Sequence, residues 1–176
     1  MSGGYIAKAA RTDWLTPGEV VDVVEEAFGG RVDLDPCGNK LSLVGARRQY
    51  LLPKDDGLHS PWKGRVFVNP PFDNVGDWLE KAWIESQVNR PRGEHYECIF
   101  LMPSRTDTRT WQSYASTAKA ICFWAGRITF HGAKASAPFP TAFLYWGPED
   151  GLNRFTTAFS VRGMIVCPVD FPPVTG

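Results

Sequence analysis

The chain has 176 residues, which is enough for one domain with a full core and leaves little room for a second. Hydrophobic residues make up 43% of the sequence and charged residues 22%, a balance typical of globular proteins that excludes extensive disorder. No apolar run approaches the roughly 18 residues of a membrane helix, and the N-terminus lacks a secretory core. We therefore expect a soluble, cytoplasmic protein formed by one domain over 1–176, with 147–176 as a candidate C-terminal extension of it.

The charges are balanced overall but unevenly distributed. There are 19 basic and 19 acidic residues, so binding to nucleic acid would need a local basic patch. Residues 101–135 contain five basic residues and one acidic residue, whereas residues 1–30 contain two basic and five acidic residues. Four residues of the basic segment are candidates for contacts with nucleic acid: Arg105, Arg109, Arg127 and Lys134. Arg105 and Arg127 could contact phosphate or a flipped base, and the alternative for these two is a solvated position on a loop.

The cysteines and histidines do not form a metal-binding pattern. The four cysteines are Cys37, Cys98, Cys122 and Cys167, and the three histidines are His59, His95 and His131. Neither set has the spacing of a zinc site. We expect no bound metal and reduced thiols, since two of the cysteines lie in apolar runs where a buried thiol behaves as a small hydrophobe.

The first predicted helix spans residues 17–28. Thr16 is its expected N-cap, Pro17 occupies the first helical position and Glu19 completes a capping box. A glycine pair ends the helix.

Strands and helices alternate after this helix, and strands follow one another near the end of the chain. The predicted elements are strand 31–35, a short helix near 40–49, strand 65–69, helix 75–88 capped by Asp73 or Asn74, strand 97–102, a helix near 107–117, and strands near 120–124, 127–130 and 141–146. The continuous apolar strand 97–102 indicates a sheet covered on both faces. The order predicts an α/β fold with a mainly parallel sheet and antiparallel strands at its C-terminal edge.

The segment most informative about chemistry is Asn69-Pro70-Pro71-Phe72, which follows a predicted strand. An exocyclic amine on a purine is a poor nucleophile because its lone pair is delocalised into the ring. Two acceptors that bind both of its N–H groups favour a tetrahedral nitrogen, and the Asn69 side-chain oxygen and the Pro70 carbonyl are two such acceptors. Phe72 would stack on a base flipped out of a helix. The alternative is a turn with a half-buried aromatic ring.

This motif resembles the N-P-P-[YF] catalytic motif of S-adenosylmethionine-dependent amino-methyltransferases. A longer series, spread over residues 14–146, is similar to the phage-type, Dam-like family of DNA N6-adenine methyltransferases. The matching positions are Trp14, Thr16-Pro17, Leu34-Asp35-Pro36, Asn39, Tyr50, Asp56-Gly57-Leu58, Trp62, Val66-Phe67, Asn69-Pro70-Pro71, 101–108, Gly126-Arg127, Phe130 and Phe139-Pro140. The resemblance implies a Rossmann-like methyltransferase fold, S-adenosylmethionine as cofactor, double-stranded DNA as substrate and a bacterial host cell if the protein is phage-encoded.

The resemblance also implies roles for individual residues. The catalytic set is Asn69, Pro70, Pro71 and Phe72. The loop after the first strand resembles the cofactor loop and contains Asp35, Pro36, Cys37, Gly38 and Asn39. Asp56, Gly57 and Leu58 resemble the element whose acid accepts from the cofactor adenine amine, and Thr16 with Pro17 resembles the element that meets the methionine end. Trp14 and Trp62 are candidates for walls of the cofactor pocket.

The sequence departs from the family pattern in the cofactor loop. That loop is usually glycine-rich, yet Gly38 is its only glycine, and no Asp or Glu lies between Pro36 and Lys54 to bind the ribose hydroxyls. Three residues are candidates to replace the missing acid: Asp35, Asn39 and Gln49. The alternative for Asp35 is a helix N-cap, and for Asp56 a residue of an Asp-Gly turn.

Methyl transfer to adenine N6 in DNA is the function that we expect. The alternatives are an N-P-P-F methyltransferase acting on RNA or on a protein glutamine, and an inactive nucleic-acid-binding relic of the fold. Only the stretches 86–96 and 131–140 and the tail after residue 147 are free for recognition of a target sequence. We therefore expect a short or loose target site, or help from a partner, and a monomeric protein.

Overall fold

The computed structural model describes residues 14–89 and 95–169. Within these ranges seven strands form one sheet and four α-helices pack against it. The elements are α1 (Gly18–Phe28), β1 (Leu34–Asp35), β2 (Arg48–Gln49), β3 (Gly64–Val68), α2 (Val75–Asn89), β4 (Tyr96–Pro103), α3 (Arg109–Tyr114), β5 (Ala120–Trp124), β6 (Thr141–Trp146), α4 (Glu149–Ser160) and β7 (Gly163–Val166). Residues 1–13, 90–94 and 170–176 lie outside the described residues. They include parts of the acidic segment 1–30 and of two predicted recognition regions, the stretch 86–96 and the C-terminal tail.

The sheet has the strand order β2-β1-β3-β4-β6-β5-β7. The first four strands are parallel, and β6 and β7 run antiparallel to their neighbours β4 and β5. The predicted α/β fold is confirmed, with parallel strands at one end of the sheet and antiparallel strands at the other. Three of the six pairings between the described strands are antiparallel, so the sheet is mixed where a mainly parallel one was predicted.

Alternating side chains of the strands enter two separate cores. Phe67, Leu101 and Phe143 pack beneath α1 and α4, whereas Val68 and Phe100 pack beneath α2 and α3. All eight residues of β4 are buried, as its continuous apolar sequence predicts.

The start of α1 differs from the prediction. The helix begins at Gly18, and Pro17 is the N-cap with extended backbone, where it makes no side-chain capping bond. The Pro17 carbonyl accepts from the N–H groups of Val20 and Val21. The hydroxyl of Thr16 is used elsewhere, so the predicted capping box does not form.

The short helix predicted near 40–49 is wrong. The segment turns through residues 39–47 and ends in β2, which pairs parallel to β1. Two features oppose a helix here. The Asn39 side chain accepts from the Leu41 N–H at 2.8 Å, and Gly45 has a φ of 56° in the left-handed region.

The strand predicted over 127–130 is also wrong. Ile128 and Phe130 are each 1% exposed, as their alternation with polar residues indicates, but their backbone does not join the sheet. The loop closes on itself through a hydrogen bond from the Ala137 N–H to the Ile128 carbonyl at 2.8 Å. Only His131 forms a bridge, with Leu15.

Sequence reasoning did not predict α4 or β7. Both elements are part of the fold: β7 pairs with β5 at the edge of the sheet, and α4 packs on α1. The fully buried Glu97 of β4 binds Arg154 of α4 at 2.8 Å. The bounds predicted for the other two helices are correct within a few residues. Thr108 is the N-cap of α3. Asp73 and Asn74 do not cap α2 as predicted, because both lie in a 3-10 turn.

The described residues contain no helix long and apolar enough to cross a bilayer. They also contain no cluster of three or more His, Cys, Asp or Glu side chains that could hold a metal ion. All four cysteines are free thiols, with Cys98 and Cys122 buried, Cys37 half-buried and Cys167 exposed.

Candidate active site

A cavity opens at the carboxyl edge of the parallel strands. Leu34 of β1 lies opposite Val66 of β3 in parallel register, so the chain leaves both strands at the same edge. Asp35 and Asn69 therefore both border one cavity, of about 260 Å³. This is the position at which open α/β sheets bind ligands.

The cavity gathers most of the residues that the resemblance singled out. Those lining it are Trp14, Thr16, Asp35, Pro36, Cys37, Gly38, Asn39, Asp56, Gly57, Asn69 and Pro71. Pro17, Leu58, Pro70, Phe72 and Trp62 are not part of the lining. Sequence reasoning missed six lining residues: Leu15, Ser42, Tyr50, Leu52, Asp55 and Trp78.

Asn69 is held with its side-chain oxygen free. Its amide nitrogen Nδ2 donates to the Trp14 carbonyl at 2.5 Å and to Thr16 Oγ1 at 3.0 Å. The Trp14 carbonyl can only accept, which fixes the nitrogen on that side of the amide. Oδ1 is buried and has no hydrogen-bond partner among the described residues. A buried unsatisfied acceptor costs about 1 to 3 kcal/mol, so its retention calls for an explanation.

A second free acceptor follows directly in the chain. No described residue donates a hydrogen bond to the Pro70 carbonyl, and proline has no N–H of its own. The chain then turns at Pro71, whose carbonyl accepts from the Asn74 N–H at 3.2 Å, and continues into α2. The end of β3 thus contains two acceptors that have no hydrogen-bond partner among the described residues: Asn69 Oδ1, which borders the cavity, and the carbonyl of Pro70, a buried residue outside the lining.

Phe72 packs in an aromatic cluster with three other rings. Its ring centroid lies 6.3 Å from that of Trp14, 6.0 Å from Phe130 and 5.3 Å from Phe139. Trp14 is roughly parallel to Phe72, whereas the two phenylalanines meet it edge-on. Phe72 is half-buried, so its ring is fixed by its neighbours and keeps a partly exposed surface.

Asp35 is the most perturbed acid of the site. It is only 5% exposed, and burial raises the pKa of its carboxyl to about 7. Hydrogen bonds from the Cys37 N–H, at 3.0 Å, and from the Ser42 side chain lower the pKa in part. Burial and the nearby Asp35 likewise raise the pKa of the Cys37 thiol, so that thiol stays protonated at neutral pH.

The two glycines of the cavity serve the packing of its loops. A Cβ on Gly57 would lie 2.0 Å from the Pro36 carbonyl oxygen, and one on Gly38 would lie 2.9 Å from the Tyr50 carbonyl oxygen. The Gly57 carbonyl also accepts from the indole of the fully buried Trp62 at 2.8 Å. Trp62 therefore supports the wall of the cavity from behind, and the wall itself includes Trp78, which stacks on Trp62.

Asp56 is a turn residue as well as a cavity residue. Its carboxylate accepts from the Leu58 N–H at 2.9 Å and contacts His59 Nδ1 at 2.8 Å, and the hydrogen bond with His59 lowers its pKa. Its neighbour Asp55 also lines the cavity, and no described residue donates a hydrogen bond to the Asp55 carboxylate. Asp55 is thus the acid with the greater free accepting capacity.

The lining is acidic. Among the described residues that line the cavity there are three acids, Asp35, Asp55 and Asp56, and no lysine or arginine. Aromatic and apolar surfaces, among them Tyr50 and Trp78, form the rest of the wall. Such a cavity fits a ligand that combines a flat ring with positive charge and hydroxyl donors.

The candidate phosphate-binding residues lie at the same edge of the sheet. Arg105 and Arg109 follow the carboxyl end of β4, and Arg127 and Lys134 follow that of β5, which runs in the same direction. All four are exposed, and none forms an ion pair with another described residue. The acidic cavity lies at the carboxyl ends of β1 and β3, and the four basic residues lie in the segments that follow the carboxyl ends of β4 and β5.

Comparison with known protein families identifies the family of the chain. The family described as DNA N-6-adenine-methyltransferase (Dam) matches residues 3–142. The chain belongs to this family. Comparison with curated proteins and with solved structures found no match. Within the described residues, the Dam match covers the chain from Trp14 to the start of β6, which includes every residue that lines the cavity, and it ends before α4.

Two of the missed residues had a signal in the sequence. Tyr50 was among the positions that match the Dam family, and Asp55 stands next to Asp56. Trp78 lies on the buried face of α2 at 9% exposure, as the apolar spacing of that helix indicates. Its contribution to the cavity depends on how α2 sits against the loop at Gly57, which the helical pattern does not specify.

Proposed function

We propose that this Dam-family protein transfers a methyl group from S-adenosylmethionine to N6 of adenine in double-stranded DNA. The single observation that carries the proposal is the buried Oδ1 of Asn69, which has no hydrogen-bond partner among the described residues although both hydrogens of the same amide are bound. An acceptor held in this way is prepared for a donor that the protein itself does not supply. An exocyclic amine of a flipped base is such a donor.

The two acceptors at the end of β3 account for activation of the amine. Asn69 Oδ1 and the Pro70 carbonyl each accept one N–H of the adenine amine, which draws the nitrogen out of conjugation with the ring and frees its lone pair. The methyl group would come from the sulfonium of S-adenosylmethionine, whose S–CH₃ bond would break as the N–CH₃ bond forms, and the proton released from nitrogen would pass to water. Acceptors that strengthen their hydrogen bonds as the nitrogen becomes tetrahedral lower the barrier selectively.

The acidic cavity fits the cofactor. S-adenosylmethionine, when bound, supplies a methyl group made electrophilic by its sulfonium centre, and it carries a second positive charge on its amino group. Asp35 would accept from the ribose hydroxyls or balance this charge, in place of the missing acid of the cofactor loop. Asp55 and Asp56 are the candidates for the adenine amine of the cofactor, which Tyr50 and Trp78 would contact through their rings.

The remaining parts of the carboxyl edge support binding of DNA. Phe72 would stack on the flipped base, and the basic residues Arg105, Arg109, Arg127 and Lys134 would bind phosphates. The loop 125–140 packs on Phe72 through Phe130 and Phe139, which makes it the candidate for reading neighbouring bases. In this proposal residues 1–176 act as one methyltransferase domain with a Rossmann-like fold.

The test is single-turnover methylation of an adenine-containing duplex. Asn69→Ala should slow methyl transfer by roughly 10² to 10³, the range for loss of one transition-state hydrogen bond. Asn74→Ala changes an exposed asparagine in the same segment and serves as the control, with a rate equal to that of the unchanged protein. An Asn69→Ala rate equal to that of the control would refute the proposed chemistry.

Two further measurements separate the alternatives. Calorimetry with S-adenosylmethionine distinguishes an enzyme from an inactive relic, which would give no heat of binding. Methylation of a matched RNA duplex or of a glutamine-containing peptide, in preference to DNA, would favour the other substrates.

Phe72→Trp should retain much of the activity and Phe72→Ala should weaken base capture, because base stacking contributes about 1 to 3 kcal/mol. Thermal unfolding controls for loss of the aromatic cluster.

A further inference from the structure

The threonine that precedes α1 does not serve the helix. Thr16 has the side chain and the sequence position of a good N-cap, yet α1 has no side-chain cap. A threonine cap contributes roughly 1 kcal/mol to helix stability. Thr16 is 2% exposed, and its hydroxyl oxygen accepts from Asn69 Nδ2 at 3.0 Å. The local preference is thus overridden by a contact 53 residues away along the chain, which is characteristic of a functional site.

From this contact we infer that Thr16 is a positioning residue that fixes the Asn69 amide for catalysis. The inference rests on the proposed function. An asparagine amide has two donors and one acceptor, and rotation by half a turn exchanges the N–H₂ group and the oxygen. If the N–H₂ group faced the target amine, two donors would meet and no activation would occur.

Both hydrogens of the Asn69 amide are used, one by the Trp14 carbonyl and one by Thr16. The Trp14 carbonyl selects the orientation because it accepts only. The Thr16 hydroxyl holds the second hydrogen and thereby fixes the plane of the amide, which directs Oδ1 to one place. Positioning of this kind affects the rate of the chemical step, since displacement of a reacting group by about 1 Å can cost 10²-fold.

The decisive experiment combines Thr16 variants with Asn69→Ala in single-turnover methylation of an adenine-containing duplex. Thr16→Val keeps the shape but removes the hydroxyl, and it should slow methyl transfer by roughly 10- to 10²-fold. Thr16→Ser restores the hydroxyl and should restore the rate. In the Asn69→Ala background Thr16→Val should cause no further loss, because a residue that acts only through Asn69 has nothing left to position.

A second measurement does not depend on activity. In the ¹⁵N-labelled full chain, both side-chain amide hydrogens of Asn69 should exchange slowly with solvent in the unchanged protein and in Thr16→Ser. In Thr16→Val one of them should exchange much faster, while thermal unfolding reports whether the variant is folded.

The outcomes separate this inference from the proposed function. An equal effect of Thr16→Val in both backgrounds, a Thr16→Ser variant as slow as Thr16→Val, or unchanged exchange of the Asn69 amide would overturn the positioning role. A normal Thr16→Val rate beside a slow Asn69→Ala rate would overturn it as well and leave the proposed function intact. A normal rate for Asn69→Ala would overturn the proposed function itself.

Discussion

Replacing Asp35 by asparagine is expected to stabilise the protein at neutral pH. Burial raises the pKa of the Asp35 carboxyl from 3.8 to about 7. Between these two values the folded protein keeps the Asp35 proton, whereas the unfolded chain releases it. The folded state therefore binds more protons, and stability falls as the pH rises from about 4 to 7. Above pH 7 both states are ionised, and the cost of the buried charge is constant.

The magnitude follows from the two pKa values. At about 1.4 kcal/mol for each tenfold change in an acid constant, the cost above pH 7 is roughly 4 kcal/mol. Asparagine has no charge to bury, and its Oδ1 can still accept from the Cys37 N–H. Asp35→Asn should therefore raise the free energy of unfolding by up to about 4 kcal/mol at pH 8, and by less than about 1 kcal/mol at pH 4.

Urea unfolding of both proteins at pH 4 and pH 8 measures this difference directly. Calorimetry at pH 8 should show that the same variant binds S-adenosylmethionine more weakly, because it has lost an anionic acceptor. The quantity to compare is the gain in free energy of unfolding of Asp35→Asn over the unchanged protein. A gain that is no larger at pH 8 than at pH 4 would refute the conclusion that the buried charge of Asp35 is costly. Stabilisation with unaltered cofactor binding would place Asp35 outside the binding machinery.

Three further predictions concern other parts of the molecule. Asp55→Asn should weaken binding of S-adenosylmethionine roughly tenfold, since a hydrogen bond to a charged group contributes about 1.5 to 3 kcal/mol; an unchanged Kd in calorimetry would contradict this. Combining Arg105→Glu with Arg127→Glu should weaken DNA binding and reduce its dependence on salt, measured by fluorescence anisotropy, and an unaltered salt slope would exclude this surface. Arg154→Ala should lower the free energy of unfolding by about 1 to 3 kcal/mol, because the fully buried Glu97 loses its partly exposed partner at 2.8 Å; an unchanged urea midpoint would argue against that pair.

The sequence predicts the elements whose burial pattern is repeated over several residues. Helices α1 and α2 and strands β3 to β6 carry apolar residues at regular spacing, and the structure has them within a few residues of the predicted bounds. The approach of Asp35 and Asn69 was predictable as well. It needs only two adjacent parallel strands and the rule that their carboxyl ends share one edge.

The secondary-structure predictions are wrong where strand pairing depends on residues far away in the sequence. Strand β2 has two residues and exists because β1 offers it a free edge, which no local pattern specifies. In the loop 125–140 the apolar alternation correctly indicated that Ile128 and Phe130 are buried. Burial alone does not imply strand pairing, and here Gly126 and Gly132, both with positive φ, bracket a loop that closes on itself.

The anchor of the Asn69 amide bears on how such motifs can be moved between proteins. In the proposed mechanism the four residues Asn69 to Phe72 contain the groups that contact the target base, whereas the groups that orient the Asn69 amide come from Trp14 and Thr16. A copy of the motif at the end of another strand would have an amide free to rotate, present in both orientations. Engineering this chemistry into a new scaffold therefore requires a second segment with a backbone carbonyl and a hydroxyl, positioned across the strand end from the asparagine.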